Sequence, residues 1–203
     1  MPDNKKMVEI RHFKMSFGDK TVIKDLSFDV FRGEVFGFLG SNGSGKTTTL
    51  RALLGLYQPT AGDLLINGKP YSVESQIRLG YLPEERGLYK KEKVLDVMLY
   101  FGQLKGLSRK EAKDFSMKFL ERVNLSDKAN TQLDKLSGGQ QQKIQLGVTI
   151  MGDPELLIMD EPAKGFDPVN RRLLMNIIEE QRKAGATIIY VTHQMEEVER
   201  LCD

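Results

Sequence analysis

The first 40 residues alternate between apolar and polar side chains. The alternation runs from Val8 to Phe17 with a slip of one residue, and it returns from Leu26 to Val30 beyond a turn at residues 18–20. A period of two is typical of a strand that buries one face. The pattern therefore predicts an antiparallel sheet in this part of the chain.

Strands of a second kind are predicted where apolar residues follow one another without alternation. Such runs indicate strands buried on both faces, and they lie at residues 35–39, 156–159 and 186–192. A further strand is predicted over residues 77–83. The dipeptide Asn67-Gly68 follows three apolar residues and predicts a hairpin turn.

Helical spacing begins after the strand at residues 35–39. Leu50, Leu53, Leu54 and Tyr57 fall on one helix face, and the proline and glycine of residues 58–62 predict the end of that helix. Residues 92–150 have mainly helical periodicity. Within them, Ser108-Arg109-Lys110-Glu111 has the sequence of a capping box, which predicts a helix start.

The segment from Gly40 to Thr48 fits the pattern G-x-x-x-x-G-K-[ST] and lies between a predicted strand and a predicted helix. Such a turn directs backbone N–H groups toward phosphate, and the helix N-terminus adds a positive partial charge. The residues expected to contact a nucleoside triphosphate are Gly40, Ser41, Asn42, Gly43, Ser44, Gly45, Lys46, Thr47 and Thr48. Lys46 is expected at the terminal phosphates and Thr47 at a magnesium ion. A flexible linker is the competing interpretation, and the flanking elements disfavour it.

Two carboxylates end the apolar run at residues 156–159. In a phosphate-loop protein an acid at this position reaches magnesium, so Asp160 is the predicted metal ligand. Glu161 is the predicted general base for an attacking water. His193 follows the run at residues 186–192 and is expected at the same sheet edge, where open α/β sheets bind ligands. His12 is expected to be an ordinary, partly exposed side chain.

Two features allow two interpretations each. Phe17, at the end of a predicted strand, can stack on a nucleobase or belong to the core of the sheet. The turn Leu136-Ser137-Gly138-Gly139-Gln140 precedes a predicted helix. It can bind an anion at the helix N-terminus, or it can simply cap that helix.

The composition describes an ordinary soluble globular protein, with 40% hydrophobic and 29% charged residues and a net charge of +2. This balance gives no argument for nucleic acid or anionic lipid as a partner. The single cysteine, Cys202, excludes an internal disulfide and suits a reducing cytosol. We find neither a run near the roughly 20 apolar residues of a membrane helix nor a secretory signal at residues 1–6. A membrane connection is therefore expected only through a partner.

Taken together, these motifs resemble the ATP-binding subunit of an ATP-binding-cassette (ABC) transporter over nearly the whole chain. Gly40–Thr48 resembles the Walker A loop and Leu156–Glu161 the Walker B strand. Leu136–Gln140 matches the LSGGQ signature, the most specific of the motifs. The resemblance implies that Phe17 stacks on adenine, that Asp167 belongs to the D-loop, and that His193 is the switch histidine. It also implies nucleotide contacts from Ser137, Gly138, Gly139 and Gln140.

The resemblance implies an ATPase that uses ATP and Mg²⁺ and works as a head-to-tail homodimer or heterodimer. Each nucleotide would lie between the Walker A loop of one subunit and the signature of the other. Lys46, Glu161 and His193 would carry catalysis, and closure on ATP would drive an integral membrane subunit. The chain would then be cytoplasmic and peripheral on the membrane, with no nucleic-acid partner.

The fold expected on this basis is α/β. It combines a phosphate-loop NTPase core containing a mixed sheet, an N-terminal antiparallel β subdomain and an inserted α-helical subdomain. We expect residues 1–85 to form the first part of the core, 86–150 the helical subdomain with the signature, and 151–203 the rest of the core. The chain stops within a predicted helix at residues 199–203, so a truncated C-terminus is also expected.

One residue departs from the family pattern. Glu84 stands where a glutamine usually senses magnesium and faces the membrane subunit, so it is a predicted metal ligand beside Thr47 and Asp160. The sequence of residues 81–89 resembles that of bacterial sodium- and drug-export systems, which favours an exporter.

Two other functions compete with an exporter motor. The first is a soluble ABC-family ATPase of translation or DNA maintenance. Such proteins carry two cassettes or a long coiled-coil insertion, and neither is present here. The second is a nucleotide-gated scaffold with little hydrolysis, which the intact Lys46, Asp160, Glu161 and His193 disfavour.

Overall fold

The computed structural model describes residues 5–72, 75–85 and 87–201. The expectations for the first four residues, for Cys202 and for the end of the chain lie outside the described residues. The described chain has an α/β fold, as predicted, with its parallel and antiparallel strands in two separate sheets.

The antiparallel sheet has three strands in the order β2-β1-β4. They are β1 (Lys6–Phe17), β2 (Lys20–Phe31) and β4 (Ala61–Ile66). The predicted slip in β1 is a bulge at His12, whose φ is 47°. Gly62 faces this bulge so closely that a Cβ atom there would lie 2.3 Å from the His12 carbonyl oxygen. Only glycine allows β4 to pair past the bulge.

The parallel sheet has four strands in the order β3-β7-β6-β5. They are β3 (Val35–Leu39), β5 (Leu79–Leu82), β6 (Leu156–Asp160) and β7 (Thr187–Thr192). Every residue of β6 and β7 is buried. Because the strands are parallel, the loops that follow β3, β6 and β7 meet at one edge of the sheet.

The described residues also form six α-helices. The helices are α1 (Lys46–Leu53), α2 (Val94–Leu104), α3 (Arg109–Arg122), α4 (Gly138–Ile150), α5 (Pro168–Lys183) and α6 (Met195–Leu201). One face of β6 and β7, which includes Leu157 and Tyr190, shares a hydrophobic core with α2 to α5. The other face, which includes Ile158 and Ile189, packs with α1 and the antiparallel sheet.

Two predicted boundaries differ in the structure. Helix α1 ends at Leu53 and not near residues 58–62, because Gly55 takes a left-handed φ of 70° that stops the helix. The turn at Asn67-Gly68 forms, but the predicted hairpin does not extend beyond one bridge between Ile66 and Lys69. Pro70 follows at once and has no N–H to continue a ladder.

The helical segment is held together by capping and close packing. The predicted capping box is present: Glu111 N donates to Ser108 Oγ at 3.2 Å, and Ser108 N donates to Glu111 Oε2 at 2.8 Å. Lys105, directly after α2, donates to the carbonyl oxygens of Val148, Thr149 and Met151 at 2.7, 2.7 and 3.0 Å. Burial lowers the pKa of Lys105 to about 8. This lysine therefore holds the C-terminal end of α4.

Across the described ranges, no helix has both the length and the apolar character needed to cross a bilayer.

Candidate functional site

The loop between β3 and α1 is shaped by glycines with positive φ. Gly43 has a φ of 79° and Gly45, the N-cap of α1, has a φ of 95°. A Cβ atom at Gly45 would also come within 3.0 Å of Ile23 Cγ1. Among the described residues no side chain caps α1, so its first N–H groups stay available for an anion.

Lys46 is folded back over this loop and is only 7% exposed. Its Nζ atom donates to the carbonyl oxygens of Gly40 at 2.6 Å and Ser41 at 3.0 Å. Two neutral carbonyls stabilise an ammonium group less than phosphate oxygens do. The side chain is thus held at the loop with its charge available for an anionic ligand.

Thr47 and Asp160 meet although they are far apart in the sequence. Thr47 Oγ1 donates to Asp160 Oδ2 at 2.6 Å. Burial raises the pKa of Asp160, the Thr47 hydrogen bond opposes this, and the charges of Glu84 and Glu161 raise it further. The second carboxylate oxygen, Oδ1, is buried without a hydrogen-bond partner. An unpaired buried carboxylate of this kind is a position where a cation would be stabilised.

The donor atoms at this position fit Mg²⁺. Mg²⁺ takes oxygen ligands and is usually held by one or two carboxylates together with substrate phosphates and water. The Thr47 hydroxyl, the orphaned Asp160 oxygen and the Glu84 carboxylate supply such atoms at the rim of one cleft. The described residues contain no group of three His, Cys, Asp or Glu side chains suited to a metal. The chain therefore offers part of a coordination shell, which suits a metal that arrives with a phosphate ligand.

Glu161 and His193 follow the neighbouring strands β6 and β7. His193 Nδ1 lies 2.8 Å from Glu161 Oε1, and Glu161 N donates to the Val191 carbonyl oxygen at 2.9 Å. Glu161 has a φ of 50°, an uncommon conformation for a residue other than glycine. Such strain persists where the surrounding structure imposes it, and it occurs often at active sites. The Glu161 carboxylate, in contact with His193, lines the same cleft as Asp160.

These side chains line one cleft of about 530 Å³. Its walls are formed by Val22, Asn42, Gly43, Gly45, Lys46, Thr47, Thr48, Glu84, Asp160, Glu161, Lys164, Gly165, Arg171, His193 and Gln194. Gly40, Ser41 and Ser44 belong to the same loop without lining the cleft. The predicted loop, the two carboxylates and the histidine are therefore brought together.

Some cleft residues were not expected from the sequence. Lys164, Arg171 and Gln194 stand outside every predicted motif, and Val22 reaches the cleft from the antiparallel sheet. No periodicity or spacing marks them. The only available signal was the position of Lys164 three residues after Glu161, within the loop that leaves the sheet edge.

Phe17 lies at the end of β1 with 47% of its surface exposed. Its ring packs edge-to-face against Tyr57, with 5.4 Å between the ring centroids. This exposure excludes the interpretation of Phe17 as sheet core. It does not line the cleft, so stacking on adenine stays a prediction.

The signature turn lies outside the cleft. Gln140 N donates to Ser137 Oγ at 3.3 Å and Ser137 N donates to Gln140 Oε1 at 2.9 Å, which is a capping box at the start of α4. Gly138 and Gly139 form the first turn of that helix. The capping interpretation of this turn is thus realised within one chain, and its contact with nucleotide stays a prediction.

Asp167 occupies a similar position at the start of α5. Its two carboxylate oxygens accept from Asn170 N and Asn170 Nδ2, both at 2.8 Å. The hydrogen bond from Asn170 N lowers the pKa of Asp167. Asp167 is a helix cap outside the cleft, and its predicted role at the nucleotide is likewise untested by this geometry.

The fold and the cleft define a phosphate-loop nucleotide-binding protein of the α/β class. A parallel sheet delivers a glycine-rich loop, a magnesium-type carboxylate and a candidate general base to one edge.

The sequence profile of the ABC transporter family matches residues 23–164. An uncharacterised ABC transporter ATP-binding protein of Methanocaldococcus jannaschii is 44% identical over 98% of this chain and 72% of its own length. A Nod factor export ATP-binding protein of Rhizobium sp. strain N33 is 39% identical over 98% of this chain and 67% of its own length. A solved structure of the ATP-binding subunit of an ABC transporter is 30% identical, with a TM-score of 0.86 over 97% of this chain and 83% of the other.

The chain belongs to the ABC transporter family, whose ATP-binding subunits are ATPases. It spans 72%, 66%, 64% and 61% of the length of four of its curated relatives.

Proposed function

We propose that this chain binds and hydrolyses ATP as the motor subunit of an ABC exporter. One observation carries the proposal: a single cleft combines the Thr47–Asp160 contact at 2.6 Å with the Glu161–His193 contact at 2.8 Å. The first contact suits a bound metal and phosphate, and the second suits activation of water. A site for binding alone would need only the first.

Each residue has a defined task in this proposal. The Gly40–Thr48 loop binds the phosphates through its N–H groups, with Lys46 turning from the loop carbonyls to the terminal phosphate. Thr47 and Asp160, with Glu84, hold Mg²⁺, which when bound neutralises the phosphate charge. Glu161 orients an attacking water and accepts its proton at the carboxylate. His193 keeps the Glu161 side chain in place through the Nδ1–Oε1 hydrogen bond.

We propose further that the working unit is a head-to-tail dimer, either of two copies or of this chain with a related subunit. The cleft of one chain is lined by the Gly40–Thr48 loop but not by the signature turn at residues 136–140. A phosphate bound in this cleft would therefore be enclosed from one side only. A second subunit that presents its own signature turn and Asp167 would complete the enclosure, with Phe17 stacked on the adenine.

The membrane partner is proposed from chemistry and from relatives. Several relatives are named as Nod factor export ATP-binding proteins, which supports export as the direction. On this chain Tyr89, Tyr100 and Leu104 are exposed, and the rings of Tyr89 and Tyr100 pack against Phe101. This aromatic surface follows Glu84 closely in the sequence and is a suitable place for an integral membrane subunit to dock. The chain would then sit at the cytoplasmic face of the membrane.

We also propose the division of the chain into a core at residues 1–85 and 151–203 and a helical subdomain at residues 86–150. The support is that α2, α3 and α4 follow one another without an intervening strand and contact each other. The subdomain would carry the signature toward the second subunit.

The test is the magnesium dependence of ATP binding, measured by equilibrium dialysis and followed by phosphate release. We expect Mg²⁺ to tighten ATP binding by about tenfold or more, and phosphate to appear only when both are present. Thr47→Ala removes the hydroxyl that contacts Asp160, so it reduces the magnesium effect. Thr131→Ala, a threonine of the helical segment outside the cleft, is the matched control. A parent chain that binds no ATP would refute the proposal.

A further inference from the structure

An ion pair spans the cleft between two loops that are 80 positions apart. Lys164 Nζ donates to Glu84 Oε1 at 2.6 Å, and both residues line the cleft. Glu84 lies two residues beyond β5, and Lys164 lies three residues beyond Glu161. The pair therefore joins the loop that leads into the helical segment to the loop that carries the candidate base.

The exposure of this ion pair argues against a role in folding. The Lys164 side chain is 62% exposed and the Glu84 side chain 38% exposed. Ion pairs this open to solvent add little to stability, because water screens the charges and two long side chains lose conformational freedom. The position of the pair beside the phosphate loop is the feature that needs an explanation.

The charges of the cleft supply that explanation. Three carboxylates face it, from Glu84, Asp160 and Glu161, and the charges of Glu84 and Glu161 both raise the pKa of Asp160. The pKa of Lys164 is itself raised, first by its hydrogen bond to Glu84 and then by the charges of Glu84, Glu161 and Asp160. Lys164 thus contacts Glu84 directly and lines the same cleft as the other two carboxylates.

The other two cations among the described lining residues, Lys46 and Arg171, contact neutral oxygens and no carboxylate of the cleft. Lys46 is bonded to the carbonyl oxygens of Gly40 and Ser41, and Arg171 donates to Gln194 Oε1 at 3.3 Å. Among the described residues that line the cleft, the three carboxylates would outnumber the two remaining cations if Lys164 were absent. An incoming triphosphate would then meet a net negative wall.

We propose that Lys164 is a positioning residue that neutralises Glu84, so that a carboxylate stands at the mouth of the cleft without repelling the nucleotide. The proposal rests on the ATP-binding function above. Lys164 stays on Glu84 Oε1 when nucleotide binds, and it keeps the Glu84 carboxylate in one place at the rim of the metal position. Lys164 acts through Glu84 and not on the phosphates themselves.

The test is a double-mutant cycle on Glu84 and Lys164, with affinity for a non-hydrolysable ATP analogue as the readout. The variants are Lys164→Gln, Glu84→Gln and the double variant, each titrated with EDTA and with Mg²⁺. With EDTA, we expect Lys164→Gln to weaken binding by about three- to tenfold, because the Glu84 charge is then exposed to the phosphates. Glu84→Gln tightens binding in EDTA, so the ratio of affinities with and without Mg²⁺ falls. In EDTA, where no metal is bound, the double variant returns to within about twofold of the parent, since the pair as a whole is neutral.

The matched control is Lys183→Gln. Lys183 forms an exposed ion pair with Glu179 at 3.5 Å on α5, so this variant makes the same change in net charge away from the cleft. It should bind the analogue like the parent. The weakening in Lys164→Gln should also shrink as salt rises from about 0.05 to about 0.5 M, because it is an effect of solvent-exposed charge.

The possible results separate the explanations. A Lys164→Gln variant that binds like the parent overturns the proposal. A double variant as weak as Lys164→Gln also overturns it, since Lys164 would then contact the phosphates directly. Recovery in the double variant supports it. Failure of the parent to bind the analogue at all would refute the ATP-binding function instead, so the two failures are distinguishable.

Discussion

Two glycine-containing turns open helices in this molecule, and they differ in how ready they are to bind an anion. The loop at residues 40–45 opens α1 and the turn at residues 136–138 opens α4. At α1 the N-cap is Gly45, and no described side chain occupies the first N–H groups. At α4 the N-cap is Ser137, whose hydroxyl and backbone are both engaged with Gln140. A glycine-rich helix start is thus open in one place and satisfied in the other.

The two turns also differ in whether they line the cleft. The α1 turn faces Asp160, Glu161 and His193 in a common cleft, whereas the α4 turn lies outside that cleft. A helix N-terminus becomes a binding site only when neighbouring groups complete it. The first turn therefore has its partners within this chain, whereas in the proposed dimer the second turn would obtain them from the other subunit.

The largest expected effect comes from removing Lys46, the cation of the turn that opens α1. Lys46→Ala should weaken ATP binding by about a hundredfold or more, because a buried charge that compensates the phosphates is lost. Lys143→Ala is the control: Lys143 follows Ser137 by six residues, as Lys46 follows Gly40, and donates to the Val123 carbonyl oxygen at 3.3 Å. Isothermal titration measures both. Affinity of Lys46→Ala within about threefold of the parent would contradict the assignment.

The chemistry of the first turn is tested separately from its binding. Glu161→Gln should retain ATP binding and slow hydrolysis by roughly a hundredfold or more, the usual loss when a general base is removed. It should also accumulate an ATP-bound dimer, visible by light scattering, because the site closes without turnover. Glu155→Gln, at an exposed ion pair with Arg78, is the control. Unchanged steady-state hydrolysis would show that Glu161 is not the base.

The second turn is tested by mixing two inactive variants. Ser137→Arg should abolish hydrolysis by blocking the partner's nucleotide, and Lys46→Ala should abolish it in its own cleft. If the two turns meet across a dimer, a mixed dimer has one doubly damaged site and one intact site. About a quarter of the parent activity should then return in an equal mixture. A mixture as inactive as either variant would contradict assembly across two chains.

The smallest effect concerns the far end of α4, where Lys105 holds the C-terminal carbonyls. Burial lowers the pKa of Lys105 to about 8, below the 10.5 of an ordinary lysine. The folded chain therefore binds fewer protons than the unfolded chain between these pH values, and its stability should rise with pH there. The stabilisation is complete above pH 10.5 and is lost as the pH falls through about 8.

Lys105→Met is the reference for this prediction. All other titratable groups are the same in the two proteins, so their contributions cancel when the pH dependence of stability is compared. Melting temperatures of both proteins should diverge in favour of the parent by about 2–4 °C per kcal/mol gained as the pH rises above 8. ATP affinity at the α1 turn should be equal in the two proteins. Convergence of the melting temperatures with rising pH would show that the three carbonyl contacts keep Lys105 protonated.

The sequence predicted those features of the fold that depend on local patterns. The bulge at His12, the capping box at Ser108 and the loop before α1 each follow from periodicity or from a short motif. The end of α1 did not, because Tyr57 continues the apolar spacing after Gly55 has already stopped the helix. The spacing of apolar side chains predicts where a helix buries its face, but this helix ends where the backbone takes a left-handed conformation.

The site was predictable in its parts but not in its contacts. Thr47 and Asp160 were each expected at magnesium, yet their 2.6 Å contact depends on β6 lying two strands away from β3. The pairing of Lys164 with Glu84 had no signal at all, since it joins two loops across 80 positions. Long-range contacts of this kind are set by sheet order, which no local pattern encodes.

The strand order also has a consequence for synthesis on the ribosome. Within the described residues, the strand that leads into the phosphate loop, β3, pairs with β7 alone, so Val35 can pair with Ile188 only after β7 has been synthesised. The β1–β2 hairpin and the helices α2 to α4 can form earlier, because their partners are close in sequence. β3 therefore lacks its partner strand until residues 187–192 have been synthesised. The nucleotide cleft therefore forms only after β7 and His193 have been synthesised.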